Sequence, residues 1–417
     1  MYWRFTYKNS HLTFNLKTRQ RFGSVYQLLL AGRNTFIVSH PKGILSLHKD
    51  PTSFTAAPFH IRMLKVVPGI IHNREHIYEV LNVRLYPTLI KALSPASMVP
   101  IANDINRHLQ PELHAIGNGK FKSSTIMTLQ DFICRPLYRS GCLTLFGPTF
   151  PLDTVDDFLL LDAKLPQLVF GLPFVTRGAV QARERILNRL EFYLEPLLAG
   201  EEVESISEII YTFVQEMKAT MTQRETAAVL LAFLFGFHFN TWYMLFWMVS
   251  HLLVEPNAMD RLVKEIQTIE SESPTTGSES RAPLLDSAIL ETLRWATKNT
   301  TIRLSTRDAD IVVDGARISI KRGDCLIADV RSMHRDPEMY PNPDEFRIDR
   351  FLDTEEGLKA PKPMSWGGGV HMVRFNAISS CVANVSTSVS WKASCYFRTQ
   401  TLPHYRTPAL QNQTCVC

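Results

Sequence analysis

Three stretches in the last third of the chain combine residue types that could do chemistry. The first is Glu291-Thr292-Leu293-Arg294, an acid and a base three apart, the spacing that puts both on one helix face. Taken alone, that spacing is common and usually marks a surface ion pair. The second is HRDPEMYPNPDEFRIDRF, His334 to Phe351, where Pro337, Pro341 and Pro343 force an extended, meandering path. A loop of that length with internal aromatics needs a packing reason. The third is SWGGGVHMVR, Ser365 to Arg374, whose glycines let a backbone approach a flat partner closely. It reads as the run-up to a metal ligand, yet valine stands where a reactive side chain is due.

These stretches need elements to position them. Pro283 to Thr297 predicts a short helix carrying Glu291 and Arg294, after a polar loop from Glu270 to Ala282. Ser24 to Ser39 predicts a hairpin around Ala31-Gly32-Arg33-Asn34, and His40-Pro41 opens a helix. Glu75 to Leu253 reads as mostly helical, with breaks at Pro87, Pro95, Pro151, Pro173 and Pro196. Asp308 to Val330 reads as β, with turns at Asp314-Gly315 and at Gly323. The expected class is therefore mainly α with a small β portion, without internal repeats. The longest apolar run, Ala227 to Val254, exceeds the roughly 20 residues that span a bilayer. His238, Asn240 and Thr241 lie near its middle, where polar groups are costly in lipid. A helix apolar all round also suits the centre of a large protein. Both readings stay open, with the buried helix favoured.

In this order and spacing the three stretches resemble the cytochrome P-450 family of haem-thiolate monooxygenases, from about Arg21 to Met372 and most strongly from Glu291 onward. The resemblance implies a cytochrome P-450-like domain over residues 1–372 and a haem (heme) cofactor. It also implies dioxygen, and electrons from an NADPH-dependent cytochrome P-450 reductase. The implied substrate is a lipophilic small molecule such as a terpenoid, sterol or polyketide, in fungal secondary metabolism. The family's eukaryotic members sit in the endoplasmic reticulum membrane. The start of this chain shows no apolar run long enough for an anchor, which leaves a missing first exon and an alternative start both open.

Carried over residue by residue, Glu291, Arg294 and Arg350 of FRIDRF would form a buried charge network. Trp366, Gly367 and Gly369 take the aromatic and paired-glycine places, and Arg303 and His371 the places of basic residues that hold the haem's carboxylates. Gly236 is the small residue of the helix that crosses the haem. There Phe239 and Asn240 replace the usual acid and alcohol, with Thr241 next. Asn240, followed six residues on by Phe246-Trp247, is similar to the branch with sterol 7-hydroxylases and prostacyclin synthase. Asn240 and Thr241 would be the catalytic pair, or Asn240 would serve only to pack or bend the helix. The altered pair leaves both oxygen insertion and rearrangement open.

By the family's pattern the thiolate falls at Val373. A cysteine thiolate pushes electron density onto haem iron and favours O–O cleavage; valine has no lone pair to give. The family's following Pro-Gly-Arg is absent too. Residues 373–417 hold no Asp or Glu, although the rest of the chain holds 40, and they hold four of the seven cysteines: Cys381, Cys395, Cys415 and Cys417. Such a tail lacks periodic apolar patterning and is expected to be disordered. The genetic code suggests its origin. Val373-Arg374 can be GTA-AGN, an intron start; Ala383-Asn384 can be GCT-AAC, a branch sequence; Ser388-Val389 can be TCA-GTG, an intron end at CAG. Removing sixteen codons and one base, 49 nucleotides, shifts the frame. Val389 to Phe397 can then be read as Cys-Pro-Gly-Arg-His-Leu-Ala-Thr, the missing ligand and motif.

A formal charge of +5 suits an acidic partner or a membrane surface, and no basic-aromatic clustering for nucleic acid appears. The cysteines have no paired spacing for zinc or a disulfide framework. Three readings compete: the monooxygenase, a catalytically inactive truncated relative unable to hold iron through a thiolate, and an integral membrane protein anchored by Ala227 to Val254.

Overall fold

The computed structural model describes residues 15–365, apart from 31, 93–94, 118–126, 256, 272–281, 298–299, 353 and 355–359. These residues are mostly helical and fall into two compact units, with chain crossings after Phe59 and before Trp247.

The first unit, residues 15–59 and 247–365, holds all of the strands: β1 (Val25–Leu30), β2 (Arg33–Val38), β3 (Phe54–Thr55), β4 (Thr300–Ser305), β5 (Ala309–Val313), β6 (Ala316–Ile320) and β7 (Cys325–Asp329). The predicted hairpin forms, with Val25 opposite Val38 and Leu30 opposite Arg33. One sheet runs β1-β2-β7-β4-β3, so stretches far apart in the sequence meet where β2 pairs with β7 in parallel. Strand β4 falls between the predicted helix and the predicted β region, where the sequence reading assigned no element; its pairing with β7 fixes it. β5 and β6 form a separate hairpin whose two turn residues, Asp314 and Gly315, both have positive φ, 51° and 81°. That is the turn whose twist matches paired strands, and aspartate-glycine tolerates it. The helix Pro41–Lys49 begins with Pro41 just inside it and His40 as its cap, and it buries Ile44 and Leu47 beside Phe36, Val38, Ile311 and Leu326.

The second unit, residues 60–246, is helical. The helices Leu129–Phe146, Val155–Val169, Pro173–Ala199 and Glu208–Lys218 surround an aromatic core in which Phe146, Phe150 and Tyr193 pack ring on ring. Two predicted breaks do not occur. Pro87 sits in the first turn of Tyr86–Ala92, directly after a five-residue π-helical stretch, where the ladder has already widened. Pro196 lies in the last turn of Pro173–Ala199, and the helix stops beyond it at Gly200, φ 85°, where Glu201 N–H donates to the Pro196 carbonyl at 2.9 Å.

Gly147 closes the Leu129–Phe146 helix at φ 78°, ψ −179°, a conformation almost confined to glycine. A Cβ there would stand 2.8 Å from the Glu204 carbonyl oxygen, and a backbone oxygen cannot swing aside as a side chain would. Gly147→Ala is therefore expected to lower stability by about 1–3 kcal/mol, read as a reduced denaturant midpoint at unchanged slope. An unchanged midpoint would show that the turn relaxes freely.

The long apolar run forms one helix, Gln223–Val254, which by length and composition could cross a membrane. It has no polar stripe, and buried residues cover most of its circumference, among them Ala228, Val229, Leu230, Leu231, Trp242 and Met244. That pattern belongs to a core helix. Its polar residue His238 is enclosed by Tyr138, Phe158 and Trp242, and burial pulls its pKa down to about 3.

Candidate functional site

Glu291 and Arg294 lie on the helix Pro283–Ala296, two of whose initial N–H groups are capped from outside. The Glu265 carboxylate accepts from Leu284 N–H at 2.7 Å and from Leu285 N–H at 2.9 Å, satisfying donors that have no partner within the helix. With Pro283 at its start, the helix is locked in position before its charged face is reached.

That face is wholly buried. Glu291 accepts from Arg294 Nε at 2.7 Å and from its terminal nitrogen at 2.8 Å, a two-pronged ion pair. The same carboxylate accepts from Arg350 Nε and from Arg347 N–H, each at 3.0 Å. The structure thus brings together Glu291, Arg294 and Arg350, which stand 0–1% exposed. Two cations share one anion, and the surplus charge is met by carbonyls. Arg294 donates to the carbonyls of His334, Pro343 and Glu345, and Arg350 to those of Pro341, Asn342 and Glu345. The prolines now have a physical explanation. A proline has no N–H to bond and keeps its segment out of helix and strand, so its carbonyl stays available for a guanidinium. Phe351 N–H closes the path by donating to Ser287 Oγ at 2.9 Å.

Two side chains of this loop that the sequence reading did not single out, His334 and Tyr340, are fully buried beside the network. Their residue types alone carry no such signal, since the hydrogen bonds their side chains make are with backbone atoms. His251 packs flat on Phe346 and edge-on to Trp295, and burial with Arg335 and Arg294 nearby pushes its pKa down to about 4.

Arg303, on β4, is buried rather than solvated. Its guanidinium donates to His48 Nδ1 at 3.1 Å and to the Phe54 carbonyl at 3.5 Å. Gly236, Asn240 and Thr241 belong to the second unit. Gly236 is exposed in the middle of a helix that is elsewhere buried or half-buried over most of its length, and a Cβ built on it meets nothing within 4 Å. Asn240, one turn on, is half-buried on the same face; Thr241 donates its hydroxyl to the Phe237 carbonyl at 3.1 Å. Trp366, Gly367, Gly369, His371 and Val373 lie outside the described residues, as does the tail 373–417.

Haem, the group the resemblance implies, fits these residues in part. Open space beside Gly236 is what a flat ring requires of a helix face, and a buried arginine suits a carboxylate. The ligand does not fit. Val373 has no donor atom, and the described free thiols Cys134, Cys142 and Cys325 all have pKa values pushed up by burial, so none is a ready thiolate. Among the described residues no group of three or more His, Cys, Asp and Glu side chains could hold a metal ion.

The family model described as Cytochrome P450 matches residues 4–372. Among curated proteins, Cytochrome P450 7A1 of Rattus norvegicus is 28% identical over 296 residues, covering 65% of this chain and 58% of that protein. Less than two thirds of that relative is thus represented. Prostacyclin synthase of Homo sapiens is 24% identical, covering 83% of this chain and 73% of its own length. Among solved structures, a retinoic acid-bound cyanobacterial CYP120A1 superposes with a TM-score of 0.69 at 18% identity, covering 92% of this chain and 86% of that one.

Proposed function

This chain belongs to the cytochrome P450 family, and from that premise we propose that it derives from a haem-dependent monooxygenase acting on a lipophilic small molecule. Terpenoid, sterol and polyketide are the substrate classes we favour, in fungal secondary metabolism, with dioxygen and a cytochrome P450 reductase as partners and the endoplasmic reticulum membrane as location. The observation that carries this reading is the buried Glu291–Arg294–Arg350 network wrapped by the proline-rich loop. A chain does not gather two guanidiniums and one carboxylate at full burial unless loop carbonyls and ion pairing offset their desolvation. When bound, haem would supply the oxidising chemistry. The residues proposed to serve it are Gly236, Asn240, Thr241 and Arg303, together with Trp366, Gly367, Gly369 and His371. Asn240 and Thr241 would stand nearest the reacting oxygen; the others would hold the ring and its carboxylates.

A second reading rests on Val373. As written, the chain is the catalytically inactive relative, and we propose that residues 373–388 are translated intron followed by exon read in a shifted frame. Residues 1–372 are then the catalytic domain, and 373–417 carry none of its sequence. Sequencing the transcript and assaying its product with a reductase tests both readings. The expected result is a message lacking 49 nucleotides at this junction, whose product oxidises one or more sterols, terpenoids or polyketides. An uninterrupted message refutes the intron. A spliced product that binds haem yet oxidises nothing in such a panel refutes the substrate class.

A further inference from the structure

The loop around the charge network does more than neutralise it. After leaving Arg350 the described chain returns at residues 360–365, immediately before the glycine loop in sequence. Two buried side chains take hold of it there. Tyr340 donates its hydroxyl to the Pro361 carbonyl at 2.8 Å, and the Met364 N–H donates to His334 Nε2 at 3.0 Å. Met364 also packs against the sheet core. Both anchors are set by Arg294: it donates to the His334 carbonyl at 2.9 Å and lies 5.4 Å from the centre of the Tyr340 ring. His334 ends the short helix Val330–His334 that follows β7 directly, so the clamp is built on the sheet.

We propose that His334 and Tyr340 are positioning residues that fix the Pro361–Ser365 segment, and hence the point at which the glycine loop begins, relative to the Glu291–Arg294–Arg350 network. The importance of that loop rests on the function proposed above; the clamp itself does not. Its chemistry requires these side-chain types. Nε2 must accept from a backbone N–H, so it carries no proton, and the proton of the neutral ring sits on Nδ1. Lysine or arginine in this place could only donate. Leu, Val or Phe would leave the part-buried Met364 N–H without its acceptor. Burial above all, helped by the positive charges of Arg294 and of the adjoining Arg335, pushes the ring's pKa down to about 3, which keeps the acceptor available. Tyrosine at 340 supplies the complementary donor, which phenylalanine would lose. Proline has no N–H of its own, and its carbonyl at 361 becomes the handle.

Amide hydrogen exchange on the full chain, without haem, tests the proposal. In His334→Leu the Met364 and Ser365 amides are expected to exchange about tenfold faster, the effect of one lost hydrogen bond of ordinary strength, while amides of β2 and β7 keep their protection. Tyr340→Phe should raise exchange at Lys362 and Met364 in the same confined way, and it carries the test if His334→Leu fails to fold. His334→Gln keeps an acceptor at the reach of Nε2 and should restore protection at Met364, which a merely space-filling histidine would not require. Unchanged exchange at Met364 in the leucine or phenylalanine variant, or loss spread evenly over the chain, overturns the proposal. So does a glutamine variant no better protected than leucine. Because no haem enters the measurement, failure of the clamp and failure of the monooxygenase reading are read separately.

Discussion

Glu291→Ala is expected to cost about 3–5 kcal/mol, the largest stability loss of any single substitution considered for this protein. The reason lies in what it leaves behind. Arg294 and Arg350 remain fully buried, and among the described residues Glu291 is the one carboxylate to which the two guanidiniums donate. The Arg347 N–H loses its acceptor as well. Against a total stability of order 5–15 kcal/mol, such a loss leaves the first unit marginal. Glu291→Gln keeps one oxygen acceptor and the shape of the side chain, so its cost should be smaller than that of alanine. Arg350→Leu should cost less again, because Arg294 keeps its two-pronged partner. A double-substitution cycle of Glu291→Gln and Arg350→Leu, followed by denaturant unfolding, is expected to show an interaction of order 1–3 kcal/mol. If alanine at 291 costs below about 1 kcal/mol, the buried pair is not what holds this loop to the helix.

How much of this was legible without coordinates depends on the range of the interaction. Glu291 and Arg294 announce themselves through a spacing of three, because helix geometry converts sequence distance directly into adjacency. The β1–β2 hairpin and the Asp314-Gly315 turn were equally local and formed where expected. Arg350 came only from resemblance: nothing in fifty-odd residues of intervening chain says which arginine will reach Glu291. The parallel pairing of β2 with β7 joins residues nearly three hundred apart, and no periodicity foretells it. His334 and Tyr340 were missed for another reason. Their partners are a backbone N–H and a backbone carbonyl, groups that every non-proline residue offers. Pro87 failed as a break point because it stands in the first turn of Tyr86–Ala92 beyond a π-stretch, and Pro196 because the helix that loses its N–H has only three residues left to run before Gly200 ends it.

The chain therefore holds together an apparatus whose central ligand its own text omits. Everything up to Met372 fits a family that grips haem iron through cysteine, and Val373 cannot do so. A message spliced at the junction proposed above would place Cys-Pro-Gly-Arg at that position. The effect of so small a change should be all or none, because a thiolate ligand is either present or absent. The reduced carbon monoxide difference spectrum of the two products, prepared side by side with haem, is the most direct test. The chain ending in residues 373–417 should lack the long-wavelength band of thiolate-ligated iron, and the spliced product should show it. A thiolate band from the chain as written, or none from a folded spliced product, would contradict the account.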